Sequence, residues 1–487
     1  MNSFVGRIGL FLALPVVGLL LLAASTAVAQ LPYFHSTFGL AWAPVPGTQT
    51  AERSDHNFWV LTPLRGRHLG LNKPKPGVMS LLDNDGKLLS SVSWTMPNTD
   101  PVMFTGMDVT HDDGFVVVGR VDSAKHCILM RADHTGQLQW HHTFRFGGYN
   151  GTKPRVVELS THEIVVAVDA YLPTGGGQGV VGLLVMLFDQ QGNLQWQKSM
   201  LPPYGHTLEV LGVEEASNGQ IVVGTSEFEN RLFPGNPNPQ PLIHIGATWL
   251  NRQGNVQQRK AYLDASPYWF SPVFPLGFEP ANMAVAQNNE LLFTGRNTVS
   301  AKPFMMKIDA GGKVLWANSY RDFQYIGPVT EDQHHQQIYS VAELLAPVGS
   351  PPHAQYTRTY VVSQFDPHGT PNWSRNVRTA HALITVDFEG SDIDVTSDGR
   401  VLASGIAEPP IVHTAHTHVL AIDPNPQHAE ARCGGWPMNA RSKDPLVVSV
   451  TTFEVRETDE SVQLGTVNIT PDAPGFRELG YCNRNTE

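Results

Sequence analysis

Only three cysteines occur in 487 residues, which excludes a disulfide-dense scaffold. Lys and Arg total 33 against 44 Asp and Glu, a net charge of −11 with no basic run to track a phosphate backbone, so nucleic acid is not an expected partner. No long window repeats apolar residues every 3.6 positions, and 44 Gly and 36 Pro are spread along the chain; both features argue against helices. Gly-rich phosphate loops, nucleophile elbows and zinc-protease helix motifs are also missing. After the N-terminal segment no stretch is apolar enough to span a bilayer.

That N-terminal segment, residues 1–29, carries a positive Arg7, an apolar run from Ile8 to Ala24 and the triplet Ala27-Val28-Ala29 before Gln30. The pattern predicts a secretory signal peptide cleaved after Ala29, with Pro15, Gly18 and the Ala-x-Ala site speaking against an uncleaved anchor. The mature chain is expected to be secreted, periplasmic or held at the cell surface, and an oxidising compartment permits one disulfide. Cys433 and Cys482 bracket the C-terminal segment and form the expected pair, while Cys127, in an apolar strand, is expected to be a buried free thiol.

What the chain does contain is a repeat. Seven times an apolar strand ends in Asp or Asn, turns, usually at Gly, and resumes as an alternating strand: LLDNDGKLLS from 81, LMRADHTGQLQW from 129, LFDQQGNLQW from 187, WLNRQGNVQQ from 249, MKIDAGGKVLW from 306, QFDPHGTPNW from 364 and AIDPNPQHAE from 421. The leading residues are Asp83, Asp133, Asp189, Asn251, Asp309, Asp366 and Asp423, separated by 50, 56, 62, 58, 57 and 57 positions, a period suited to four strands with loops. Each Asp is expected to accept hydrogen bonds from nearby main-chain N–H groups, and Gly136, Gly192, Gly254, Gly312 and Gly369 to supply a left-handed turn residue. Trp140, Trp196, Trp316 and Trp373 follow the turn at one place, where a large ring fills the space between diverging outer strands; that use is favoured over cofactor or sugar contact.

Upstream of each copy lies a second hairpin, clearest in MDVTHDDGFVVVGR from 107, VEEASNGQIVVGT from 213, MAVAQNNELLFTG from 283 and IDVTSDGRVLASG from 393. Its second strand is nearly all apolar, as expected when both faces of a sheet are covered. Two hairpins per period make a four-stranded antiparallel blade, and seven blades that cannot bury their faces singly must stack in a ring. The predicted fold is all-β: a seven-bladed β-propeller over 30–442, followed by a small C-terminal β segment over 443–487 that forms an appended hairpin or the outer part of blade seven. The segment from Pro32 resembles the outer strand of blade two and is expected to close the last blade.

Over about residues 50 to 430 the repeats resemble those of secreted bacterial β-propeller proteins whose blades read Asp-x-x-Gly-x-x-x-Trp, a looser relative of quinoprotein dehydrogenase repeats. The resemblance implies architecture, not activity. The quinoprotein spacing is one residue longer between Asp and Gly, and the vicinal cysteine pair of many such enzymes is absent, so no quinone and no other cofactor is expected.

Within the hairpins the turns stay short, whereas connections between second and third strands and between blades vary greatly. In a meandering blade both variable classes emerge on one rim, which is therefore the expected binding face. Aromatic residues gather there, and Tyr149, Tyr204, Tyr268, Trp269 and Tyr325 are the ligand-binding candidates, suited to stacking on sugars or anchoring a protein; packing of the loops against the disc competes with that use. His413, His416 and His418 have metal-like spacing but no completing ligand, so no metal is expected. Asp108 and Asp394 occupy equivalent places in innermost strands and could face the central channel, yet no spacing pairs carboxylates for catalysis. The leading expectation is an exported, non-enzymatic module that binds carbohydrate or protein. A glycan hydrolase or lyase using channel-mouth carboxylates, and a degenerate quinoprotein-like envelope scaffold, are the alternatives.

Overall fold

A computed structural model describes residues 34–39, 48–63, 77–95, 102–121, 126–145, 154–173, 179–202, 207–231, 240–264, 276–298, 300–321, 323–348, 355–377, 387–408 and 416–424, together with short stretches between 435 and 483. Strands dominate them, and their one helical element is the short 3-10 turn Gln287–Asn289. The strands form seven blades, each of four antiparallel strands in meander order, as the repeat predicts. The innermost strands are Gln49–Glu52, Val102–Val109, Arg155–Glu158, Thr207–Glu215, Leu276–Val285, Phe323–Asp332 and Asp387–Val395, for blades one to seven. Blades four and five also touch through a short parallel pairing, Leu242 with Leu276 and Ile243 with Gly277.

The ring closes with strands from both ends of the chain. Blade seven takes Phe34–Gly39 as its fourth strand, paired antiparallel with His416–Ile422, so the expected N-terminal fastening is present. The C-terminal segment, expected as an appended hairpin or the outer part of blade seven, reaches blade seven only with its last strand. Gly435–Met438 pairs with the outer strand of blade six, Lys443–Pro445 with blade five, Val448–Thr452 with blade four, Glu457–Thr458 with blade three, Gln463–Gly465 with blade two and Thr470–Asp472 with blade one. Arg477–Asn483 then joins Phe34–Gly39 in blade seven. The tail is thus a belt that runs backwards around the ring and adds a fifth strand to every blade. An outermost strand offers a row of unpaired N–H and C=O groups that invites pairing with another chain; the belt occupies all seven such edges.

Apolar burial follows the ring. The described core divides into seven clusters, and each spans one pair of neighbouring blades, including the closing pair of blades one and seven. Second strands such as Val116, Val117 and Val118 are covered on both faces, which explains their unbroken apolar runs. Cys127 is a buried free thiol, and burial pushes its pKa up. Cys433 lies outside the described residues, and with it the expected pairing to Cys482; so do residues 1–29. No helix among the described residues is long and apolar enough to cross a membrane.

The turn chemistry shows why the repeat has its spelling. The carboxylate of Asp133 accepts N–H groups from Thr135 and Gln137, and that of Asp366 from His368 and Thr370, two and four residues on. Gly254 and Gly369 have φ of +76° and +72°, which favours glycine. They also pack on the tryptophan of the preceding blade: a Cβ at Gly254 would lie 2.9 Å from the ring of Trp196, and one at Gly369 2.8 Å from that of Trp316. The indole N–H groups of Trp140, Trp196 and Trp316 donate at 2.9 Å to Gln190, Arg252 and Pro367 carbonyls in the next blade's turn. Gly and Trp are therefore two halves of one interblade joint, and these tryptophans are structural. In blades one to six both short turns lie on one rim.

Candidate functional site in the central channel

The innermost strands surround a cavity of about 470 Å³ that takes lining from all seven blades. It lies where these strands approach the short-turn rim. Asp108, Glu214 and Asp394 each occupy the penultimate position of their innermost strand, and Arg155 and Asp392 stand one layer deeper. All five line the cavity and are half-buried.

Hydrogen bonds hold most of these carboxylates. Asp108 accepts from the main-chain N–H of Glu158 at 2.7 Å and of Val109 at 2.9 Å. Asp392 accepts from the Thr50 N–H at 2.7 Å and its hydroxyl at 3.2 Å, and Asp394 from the Val395 N–H at 2.7 Å. No described residue hydrogen-bonds the carboxylate of Glu214. The Arg155 guanidinium donates to the Thr105 carbonyl at 2.8 Å, leaving its Nε buried without a partner.

Burial and crowding shift Asp108, Glu214, Asp392 and Asp394 upward, because loss of water and like charge both disfavour the ionised form. Burial, aided by the charges of Asp108, Asp394 and Asp392, raises Glu214 to about 8. Asp394 rises to about 7 through burial and the charge of Asp392, and Asp108 to about 7 through burial against its two main-chain donors. Asp392 is raised by burial to only about 6, held down by its Thr50 donors and by the Arg155 charge. Burial lowers Arg155 itself. Near neutrality the cavity therefore offers carboxyl O–H donors, carboxylate acceptors and a guanidinium together.

Other carboxylates near the rim are accounted for by the ring itself. Glu52, Glu158, Glu215 and Glu331, at or beside the ends of innermost strands, accept turn N–H groups of the preceding blade from Ser397, His111, Ser160 and Gln287. Glu227 sits in a buried ion pair with Arg259 at 2.9 Å.

Of the aromatic candidates, Tyr149, Tyr204, Tyr268 and Trp269 lie outside the described residues. Tyr325 is half-buried near the start of the innermost strand of blade six, beside Gly327 and towards the end of the channel away from the carboxylates. Its neighbour Phe323 is core, packed against Tyr320 and Phe365. Among the histidines His418 is buried, His142 packs on Trp140 and Phe188, and His413 lies outside the described residues. Asp108 and Asp394 do face the channel. Glu214, Asp392 and Arg155 are additions to the sequence reading, although two of them were within its reach: Glu214 holds the place of Asp108 and Asp394 in the aligned copy VEEASNG, and Asp392 shares a strand face with Asp394.

No family model and no curated protein matches this chain. Among solved structures it is similar to a protein of unknown function from Dyadobacter fermentans (13% identity, 81% of this chain and 98% of that one, TM-score 0.42). It is also similar to the polysaccharide lyase Uly1 (10%, 79% and 91%, 0.46) and to the endosialidase of phage phi92 (11%, 90% and 77%, 0.44). Likeness this distant carries no inference about activity, and the fold stands on the strand pairing.

Proposed function

We propose that the protein is an exported binding module that takes a carbohydrate into the central channel cavity rather than on the loop-rich rim alone. The observation that carries this reading is the convergence of Asp108, Glu214, Asp392, Asp394 and Arg155 on one cavity of about 470 Å³, within the size range of small-molecule sites. Sugar hydroxyls both donate and accept hydrogen bonds, and a mixture of protonated and ionised carboxyls answers both needs. The Glu214 carboxyl, which no described residue hydrogen-bonds, supplies bonding capacity that the fold leaves unused. Tyr325 supplies stacking surface for a longer chain, and Tyr149, Tyr204, Tyr268 and Trp269, outside the described residues, stay ligand-binding candidates from the sequence alone.

A glycan hydrolase or lyase is the second reading, favoured by the gathering of four carboxyls, all shifted upward, around one cavity, since carboxyls held together in one site are the groups that acid and base catalysis needs. Glycan-array screening followed by calorimetry on the wild type, Asp394→Asn, Glu214→Gln and Trp269→Ala tests both. Binding without turnover, weakened at least about tenfold by either cavity variant, is the expected result. Turnover abolished by Asp394→Asn would favour the enzyme. Loss confined to Trp269→Ala would return the site to the loop-rich rim.

A further inference from the structure

The short-turn rim carries a second cluster, outside the channel. His111 stands in the turn after the innermost strand of blade two, Glu158 ends the innermost strand of blade three, and His162 stands in the following turn. A ring nitrogen of each histidine and a Glu158 carboxylate oxygen lie within 4.8 Å of one another. His111 Nδ1 is 3.1 Å from Glu158 Oε1, and the two imidazole rings stack with centroids 3.6 Å apart.

The interblade clamp explains only half of this arrangement. It uses the main-chain N–H of His111, which donates to Glu158 Oε2 at 2.6 Å. In two other interfaces the place of His111 is held by serine, Ser160 and Ser397, and the clamp to Glu215 and Glu52 is intact. The imidazole of His111 is therefore not needed for closure. His162 has φ +68° at the turn position held by Gly219 and Gly399 in two blades and by His56, Asp113 and Asn289 in three others, so glycine can take its place. Where blade one meets blade seven, the corresponding trio is Ser397, Glu52 and His56. It has one imidazole and a hydroxyl, a poor ligand set. Two imidazoles facing a carboxylate occur between blades two and three.

We propose that His111, Glu158 and His162 bind one divalent transition-metal ion of the zinc class across the interface of blades two and three. Two imidazole nitrogens with one carboxylate oxygen suit zinc and its d-block neighbours rather than calcium or magnesium, which take oxygen ligands. Tetrahedral zinc at 2.0–2.1 Å places its ligands roughly 3.3 Å apart; His111 and Glu158 stand close to that spacing, and the His162 ring, now stacked on that of His111, must rotate to turn a nitrogen to the ion. Arg131 is 4.0 Å from Glu158 Oε1 but is engaged with Asp112 and the Gln190 carbonyl, and need not move. The fourth position faces solvent and takes water. An ion held by the folded ring alone ties the two blades together and raises stability with its concentration.

The test uses the full chain, stripped with a chelator and titrated with zinc chloride against a chromophoric competitor, with cobalt as a spectroscopic probe. One equivalent bound at micromolar concentration or below, the absorption of tetrahedral cobalt and a rise in Tm are expected. His111→Ser and His162→Gly should each weaken binding at least about tenfold while leaving the metal-free Tm unchanged or higher, because serine and glycine fill those places in other blades. Zinc binding of wild-type strength in the double variant, or no saturable binding below millimolar, would overturn the assignment.

Discussion

Replacing Gly369 by alanine examines the joint that makes seven sheets into one ring. The φ of +72° alone costs an alanine about 1 kcal/mol. Its Cβ would stand 2.8 Å from Cη2 and Cζ3 of Trp316 and 2.8 Å from Nδ2 of Asn318, so the indole must shift, at about 1–3 kcal/mol for overpacking. That shift strains the Trp316 bond to Pro367 and the Asn318 bond to the His368 carbonyl, 2.9 and 3.0 Å. Gly399→Ala is the matched control, because Gly399 has φ +86° but nothing within 4 Å of its Cβ position. Gly399→Ala should therefore lose about 1 kcal/mol and Gly369→Ala about 2–4 kcal/mol, read as urea midpoints by tryptophan fluorescence at unchanged slope. Equal losses would refute the close packing of turn on indole.

Four further outcomes follow from the same geometry. The carboxyls of Glu214, Asp394 and Asp392 have folded pKa values of about 8, 7 and 6, above their unfolded values near 4. The unfolded chain releases these protons first, so their contribution to stability is complete below pH 4 and is lost as pH rises to 8, by at most about 1.4 kcal/mol per pH unit per group, less where cavity water screens them. Tm should fall between pH 5 and 8, most steeply below pH 6 where all three groups contribute, and Glu214→Gln should flatten that fall; an unchanged profile would remove Glu214 from the crowded set. Glu227→Ala leaves Arg259 buried without its partner and should cost about 3–5 kcal/mol, whereas a loss below about 1 kcal/mol would mean that water reaches the guanidinium. Truncation after residue 430 removes the belt and bares seven sheet edges, so concentration-dependent association by light scattering is expected, and a stable monomer would show the edges to be harmless. Trp316→Phe keeps an aromatic ring but loses part of the packed indole and the 2.9 Å bond to Pro367, and should cost about 2–3 kcal/mol in the same urea assay; no loss would mean that neither the indole packing nor its N–H bond holds the joint.

The blade count and strand order were legible because Asp83, Asp133, Asp189 and their successors mark one turn per period, and because period-two and continuous apolar patterns separate the strands. Closure by Phe34–Gly39 was legible for the same reason: it repeats the spelling of a fourth strand. The belt was not. Segments such as Gln463–Gly465 and Thr470–Asp472 are three residues long, too short to show alternation, and they pair with strands more than 300 residues earlier in the chain. Glu214 was within reach of the repeat alignment, but its place beside Glu215 before a turn reads as surface until the ring brings Asp108 and Asp394 round to face it. The His111 and His162 pair is 51 positions apart in sequence; only stacking of neighbouring blades makes it local.

The most direct measurement is a crystal structure of the protein soaked with the tightest-binding glycan from an array. Sugar density inside the channel, within hydrogen-bond reach of Glu214 and Asp394, is the predicted result. Density confined to the loop-rich rim, with the carboxylate cavity holding only water, would contradict it.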